Sequence, residues 1–262
     1  MNTYFETESP NSKTVLCERI KDGRIPWIAP VLMVLARPVF ALLGQGITVL
    51  LFAAQGDPSP LQSSAPWWTV YGTGIDIACL VLLLILVKRE GIRLSDLVSF
   101  KKKKLLIDIP LGIGFCAIAF PAAVLLGSII ASVLVYGGLQ PRLPDGAFIR
   151  HLPLWGVIYS RAVWWIIWSF TEEITFQGYS LPRLQCIFGR TWMAVGWVSF
   201  GWALQHSFLP FINISHAVWL FVAFFPLTMA MQLLYLRIRR LAPLIVAHWL
   251  MDLGSVLLLV TT

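Results

Sequence analysis

Apolar residues fill long stretches of this chain, and short polar segments between them carry most of its charge. A helix needs about 20 consecutive apolar residues to cross the hydrocarbon layer. Seven stretches qualify or nearly qualify: roughly 27 to 55, 67 to 87, 105 to 136, 153 to 178, 191 to 211, 216 to 236 and 241 to 260. They predict an all-α, polytopic membrane bundle of about seven transmembrane helices. The first and third stretches are long enough for tilt, a kink or a re-entrant portion, with Pro38 and Pro121 as the expected bending points. Nothing repeats, and no extramembrane stretch is long enough for a second domain. The expected organisation is a polar tail over 1–25 and one membrane-embedded domain over 26–262. The first 24 residues are polar and the first apolar stretch lacks a small-residue cleavage site, so that span is expected to be retained. The segment from Lys88 to Phe100 looks like a short amphipathic piece lying at the interface.

Composition agrees with this pattern. The chain is 58% hydrophobic and 13% charged, where soluble domains carry about 25% charge, and its mean hydropathy is +0.76. Charge then sets an orientation, because short cytoplasmic loops retain Lys and Arg. With the N-terminus in the cytoplasm, 16 of the 20 basic residues fall inside, among them the Lys101 to Lys104 run, Arg183, Arg190, Arg237, Arg239 and Arg240. The opposite loops near 56 to 66, 138 to 152 and 210 to 215 hold only Arg142 and Arg150, and Arg37 and Arg161 lie within spans. Those loops account for the net charge of +7, so membrane lipid is the expected partner of the basic residues and nucleic acid is not. Cys17, Cys79, Cys116 and Cys186 show no CxxC spacing and read as inert, with neither a disulfide framework nor a thiolate metal site.

Against that background, Glu172 and Glu173 are an anomaly. They sit in Trp164-Trp-Ile-Ile-Trp-Ser-Phe-Thr-Glu-Glu-Ile-Thr-Phe, where an ionised carboxylate costs several kcal/mol, so such acids usually face a polar cavity and have a task. The other acids well inside spans are Asp76 and Asp252. Asp76 reads as a local interhelical bond. His206 and His248 also lie within spans, whereas His151 and His216 fall at the outer interface and read as solvated. On a helix, i and i+4 share a face, which pairs His248 with Asp252, Glu173 with Gln177 and Trp202 with His206. Counting 1.5 Å per residue puts Glu172, His248 and Asp252 in the cytoplasm-facing half of the bilayer, with His206 deeper.

These residues carry a family resemblance. Glu172-Glu-Ile-Thr-Phe-Gln-Gly-Tyr-Ser-Leu-Pro-Arg-Leu resembles the first motif of the CAAX protease and bacteriocin-processing (CPBP, Abi) family of glutamic intramembrane proteases, which reads Glu-Glu-x-x-x-Arg and commonly continues Gly-Tyr-Leu-Leu-Pro-x-Leu. Trp202-Ala-Leu-Gln-His206, with Phe200 upstream, resembles the second motif, and His248-Trp-Leu-Met-Asp252 the third. The motif-bearing part covers about 150–260. One position departs from the family: Gln177 stands where arginine is usual, and a neutral amide can hydrogen-bond Glu173 but cannot compensate its charge. Arg161 and Arg183 are the cations expected to substitute.

The resemblance implies an intramembrane, metal-independent endopeptidase that needs no cofactor and cleaves a peptide bond near the cytoplasmic side. Glu172 and His206 would activate water, Glu173 would support Glu172, His248 and Asp252 would stabilise the oxyanion and position the site, and Gln177 and Trp202 would support them. The substrate would be a peptide or membrane protein, a prenylated chain in a eukaryote or a leader peptide in a prokaryote, where the enzyme would lie in the cell membrane. Three other readings stay open: a weak or inactive member serving as an immunity or interaction protein, a zinc centre built from His206, His248 and a glutamate, and a proton-coupled transporter.

Overall fold

The computed structural model describes residues 9–98, 100, 102–142, 144 and 149–262. Lys101, the first eight residues of the expected tail, and parts of the 138 to 152 loop lie outside the described residues. A short helix α1 (Lys13–Lys21) starts where the Ser12 hydroxyl accepts the Val15 N–H, and the long α2 (Ile28–Ala54) follows. After α3 (Pro60–Ser64) come α4 (Trp68–Arg89) and α5 (Leu94–Val98). Then α6 (Leu105–Gly114) and α7 (Phe120–Tyr136) form one run through a π turn at Phe115–Ala119. Pro121 has no N–H to donate back along the helix, and that missing bond falls where the wide turn has already loosened the ladder. Pro38, by contrast, stays inside the continuous α2.

The next run is longer than expected. Instead of ending at 178 it continues to 188, through α8 (Leu154–Tyr159), a π turn at Ser160–Trp164, α9 (Trp165–Glu173), a π turn at Ile174–Ser180 and α10 (Leu181–Phe188). Pro182 does not stop it, because proline is tolerated in the first turn of α10. Gly189, at φ 64°, then lets the chain turn back into α11 (Thr191–Ser207), α12 (Ile214–Ile238) and α13 (Ala242–Leu259). Two short strands, β1 (Arg150–His151) and β2 (Val260–Thr261), pair in parallel with Arg150 opposite Val260.

Among the described residues, five helical runs are long and apolar enough to span a bilayer: Ile28–Ala54, Pro60–Arg89, Leu94–Tyr136, Ile214–Ile238 and Ala242–Leu259. The stretches at 153–178 and 191–211 are helical too, but the first is broken by π turns and α11 has 17 residues. Large apolar side chains such as Leu43, Ile47, Leu50 and Leu51 of α2 point outward, while Arg37, Asp76, Glu172, Glu173 and Arg183 are fully buried. A bundle that is polar inside and apolar outside suits lipid as its solvent. The chain is an integral, multi-pass membrane protein.

Side-chain contacts gather the basic segments at one end. Arg19 bonds the Glu90 carbonyl, Arg183 forms an ion pair with Glu90, Arg240 with Asp108, and Arg239 reaches Gln185. The opposite end holds the loops around 60, 150 and 210, where Gln45 bonds Ser64 and Phe211. Cys17 and Cys186 are not inert: they form a disulfide that fastens α1 onto α10. They lie 169 residues apart, so no local spacing rule could pair them. In a reducing cytoplasm the same sulfurs sit as adjacent thiols.

The packing is closest where α7 meets α12. A Cβ on Gly127 would lie 1.9 Å from the Ala223 carbonyl oxygen, so backbone touches backbone there. Gly127→Ala is expected to destabilise the protein by about 1–3 kcal/mol. Gly114→Ala, where nothing among the described residues lies within 4 Å of the added carbon, is the control, and thermal unfolding in detergent reads both.

Candidate active site

Helix α9 ends on the glutamate pair, and the π turn at Ile174–Ser180 begins at the next residue. Adjacent helical residues point about 100° apart, so the two carboxylates face different neighbours. Both nevertheless meet one side chain. His248, in the second turn of α13, puts Nδ1 3.0 Å from Glu173 Oε1 and Nε2 3.4 Å from Glu172 Oε2. A neutral imidazole donates from one nitrogen only, so two such contacts need a further proton, held on a carboxylate or on the ring.

Glu172 is the more heavily held of the pair. Trp202 Nε1 donates to its Oε2 at 2.8 Å, and the Gln205 amide donates to Oε1. Arg37 of α2 completes the set, with Nη2 3.5 Å from Glu172 Oε1, Nη1 2.9 Å from Asp76 Oδ1 and Nε donating to Gln205 Oε1 at 2.6 Å. Its guanidinium lies 4.4 Å above the Trp168 ring. A cation is therefore present, but it pairs with Glu172, not Glu173, and comes from neither expected residue. Arg161 donates to the carbonyl of Val260 at the end of α13, and Arg183 is taken by Glu90. With its amide turned to donate, Gln177 lies 3.3 Å from Glu173 Oε2, one turn along as its spacing predicted. Asp76 does make the interhelical bond expected of it, to Arg37.

Asp252 shares a face with His248 as the i, i+4 spacing requires, but that contact is long, at 3.5 Å from Nε2 to Oδ2. Its close partner is Ser169, which donates to Oδ2 at 2.6 Å. His206 is not bonded to Glu172 among the described residues. Its ring stacks on Phe224, with centroids 3.9 Å apart, and faces a cavity of about 250 Å³ shared with His248 and Asp252. Gln205, one residue earlier, occupies the place beside Glu172. The structure thus joins Glu172, Glu173, His248, Asp252, Gln177 and Trp202 in one polar cluster and puts His206 on the wall of the adjoining cavity.

That cavity is a groove. On α13 it is lined by His248, Asp252, Ser255 and Leu259, which span roughly 16 Å of helix at 1.5 Å per residue. Facing them on α12 are His216, Leu220 and Phe224, and Arg150 lies at the outer end. His216 is a correction to the solvated reading: it is 1% exposed, and neither ring nitrogen has a hydrogen-bond partner among the described residues. The Asn213 cap, accepting the His216 N–H at 2.8 Å, starts α12 early enough to turn the ring inward. The groove also runs from the carboxylates toward the end remote from the basic loops. Depth counting puts the acids in the half nearest those loops, and the open space beside them extends the other way.

Residues 151–254 match the protein-family model described as type II CAAX prenyl endopeptidase Rce1-like. Over that segment the chain is similar to the CAAX proteases. The three motif stretches, from Glu172 to Asp252, all fall inside the matched residues. No curated protein matches the chain, and no solved structure does.

Proposed function

We propose that this CAAX-protease-type chain hydrolyses a peptide bond within the membrane, with Glu172 as the base that activates water. The observation that carries the reading is the buried cluster in which one imidazole, His248, bridges two adjacent carboxylates at the inner end of an otherwise apolar groove. Trp202, Gln205 and Arg37 fix the Glu172 carboxylate, so a water beside it meets a base that need not reorganise. His206, on the groove wall, is the second group placed to orient that water. His248 donates to the oxyanion that forms as the carbonyl is attacked. Asp252 and Ser169 hold the face on which His248 lies, and Glu173, supported by Gln177, stores the exchanged proton.

The substrate is a peptide or a membrane-protein segment. An extended strand rises about 3.3 Å per residue, so the groove accepts roughly five residues beside the scissile bond. Because the groove leads away from the basic loops, a cytoplasmic N-terminus puts its mouth on the extracytoplasmic side, from which a substrate would reach carboxylates at the inner end, so cleavage near the cytoplasmic side stays part of this proposal. Gln177 does not leave the site without a cation, since Arg37 supplies one, and this favours an active enzyme over an inactive interaction protein.

The test is cleavage of a hydrophobic reporter peptide by purified protein in detergent. Turnover is expected to persist through dialysis against a chelator. Loss of turnover with recovery on adding zinc would overturn the metal-independent reading in favour of a His206, His248 and glutamate zinc centre.

A further inference from the structure

At the basic end a second cavity, of about 460 Å³, opens between the start of α1, the start of α10 and the α12–α13 turn. Four cations line it: Lys13, Lys104, Arg239 and Arg240. The only acid paired with any of them is Asp108, on Arg240, and Lys13 and Lys104 have no acidic partner among the described residues. The N-terminus of α1 is also part of the wall, through Ser12 and Lys13, and its first-turn N–H groups and positive dipole end favour an anion. Tyr235 supplies an independent sign of a ligand. It is 7% exposed, lines the cleft, and its hydroxyl has no hydrogen-bond partner among the described residues.

The geometry points to a binding site for a phosphate group in this cleft, presented by the headgroup of an anionic phospholipid. A phosphate offers several acceptor oxygens to two unpaired ammonium groups, helix N–H groups and a phenol, which are all donors. The site lies at the end where the basic loops gather, which is where lipid headgroups lie against a membrane protein. It also touches the proteolytic site indirectly. Asn11, on the cleft wall, donates at 3.0 Å to the carbonyl of Gly178 and accepts from Arg183, so an occupied cleft braces the π turn that carries Gln177.

The experiment reads binding, so its result does not depend on whether the chain is a protease. Purified protein in a neutral detergent is titrated with short-chain phosphatidylglycerol, phosphatidylcholine or inorganic phosphate while thermal unfolding is followed. A saturable rise in Tm with phosphatidylglycerol, at least threefold weaker in Lys13→Gln/Lys104→Gln and weaker again with Tyr235→Phe, is expected. Inorganic phosphate saturating the same shift at similar concentration would keep the phosphate site and assign it to the free ion. Lys102→Gln/Lys103→Gln removes equal charge beside Lys104 but outside the cleft and should leave the affinity unchanged. An equal loss in that pair, or indistinguishable shifts with phosphatidylglycerol and phosphatidylcholine, would overturn the site.

Discussion

Replacing Glu172 by glutamine is expected to lower reporter cleavage by about 10²–10⁴-fold, the usual contribution of a positioned general base. Glutamine keeps the length of the side chain and one oxygen that can accept from Trp202 or Gln205, so the fold should survive and the loss should appear in kcat. Thermal unfolding in the same detergent separates loss of chemistry from loss of structure. His248→Ala should cost a similar factor. The double variant should cost scarcely more than either single one, because groups that act as a unit are not additive. Cleavage at the parental rate by well-folded Glu172→Gln would remove Glu172 from the mechanism.

The second large effect concerns stability. Arg37 is fully buried between Asp76 and Glu172, and removing one partner of a buried ion pair leaves a charge that nothing solvates. Arg37→Met is expected to destabilise the protein by about 3–5 kcal/mol. Adding Asp76→Asn to that variant neutralises one of the two stranded carboxylates and should recover part of the loss. A double-mutant cycle on thermal unfolding measures the coupling, and strict additivity of the two substitutions would mean that Arg37 does not pair with Asp76 in the folded protein. Activity should fall with Arg37→Met as well, since Glu172 would lose the cation beside it.

The contrast between these two residues explains what was legible beforehand. Glu172, Glu173, His248 and Asp252 declared themselves because ionisable groups in apolar helices are expensive, and their spacing put them on shared faces. Arg37 broke the same rule, yet it lies 135 residues from Glu172 and no local pattern joins α2 to α9. Gln205 gave no signal at all: it is a neutral amide one position from a histidine that the motif made conspicuous. The apolar stretches foretold an all-α membrane bundle well, but not the π turns, which keep a helix apolar and helical while shifting its register. His216 was misplaced because proximity to a loop was taken for exposure, whereas the capped start of α12 turns it into the groove. The cysteine pair shows the same limit, since its partners meet only when the fold is complete.

The small ladder between Arg150–His151 and Val260–Thr261 has a practical bearing on how the molecule is handled. It ties the end of α13 to the rim of the groove, where Arg150 and Leu259 stand. An affinity tag or fusion partner attached after Thr262 would therefore hang at the entrance used by the reporter peptide and compete with it. A tag placed ahead of α1 hangs at the other end of the bundle, and with it the groove stays open for assay.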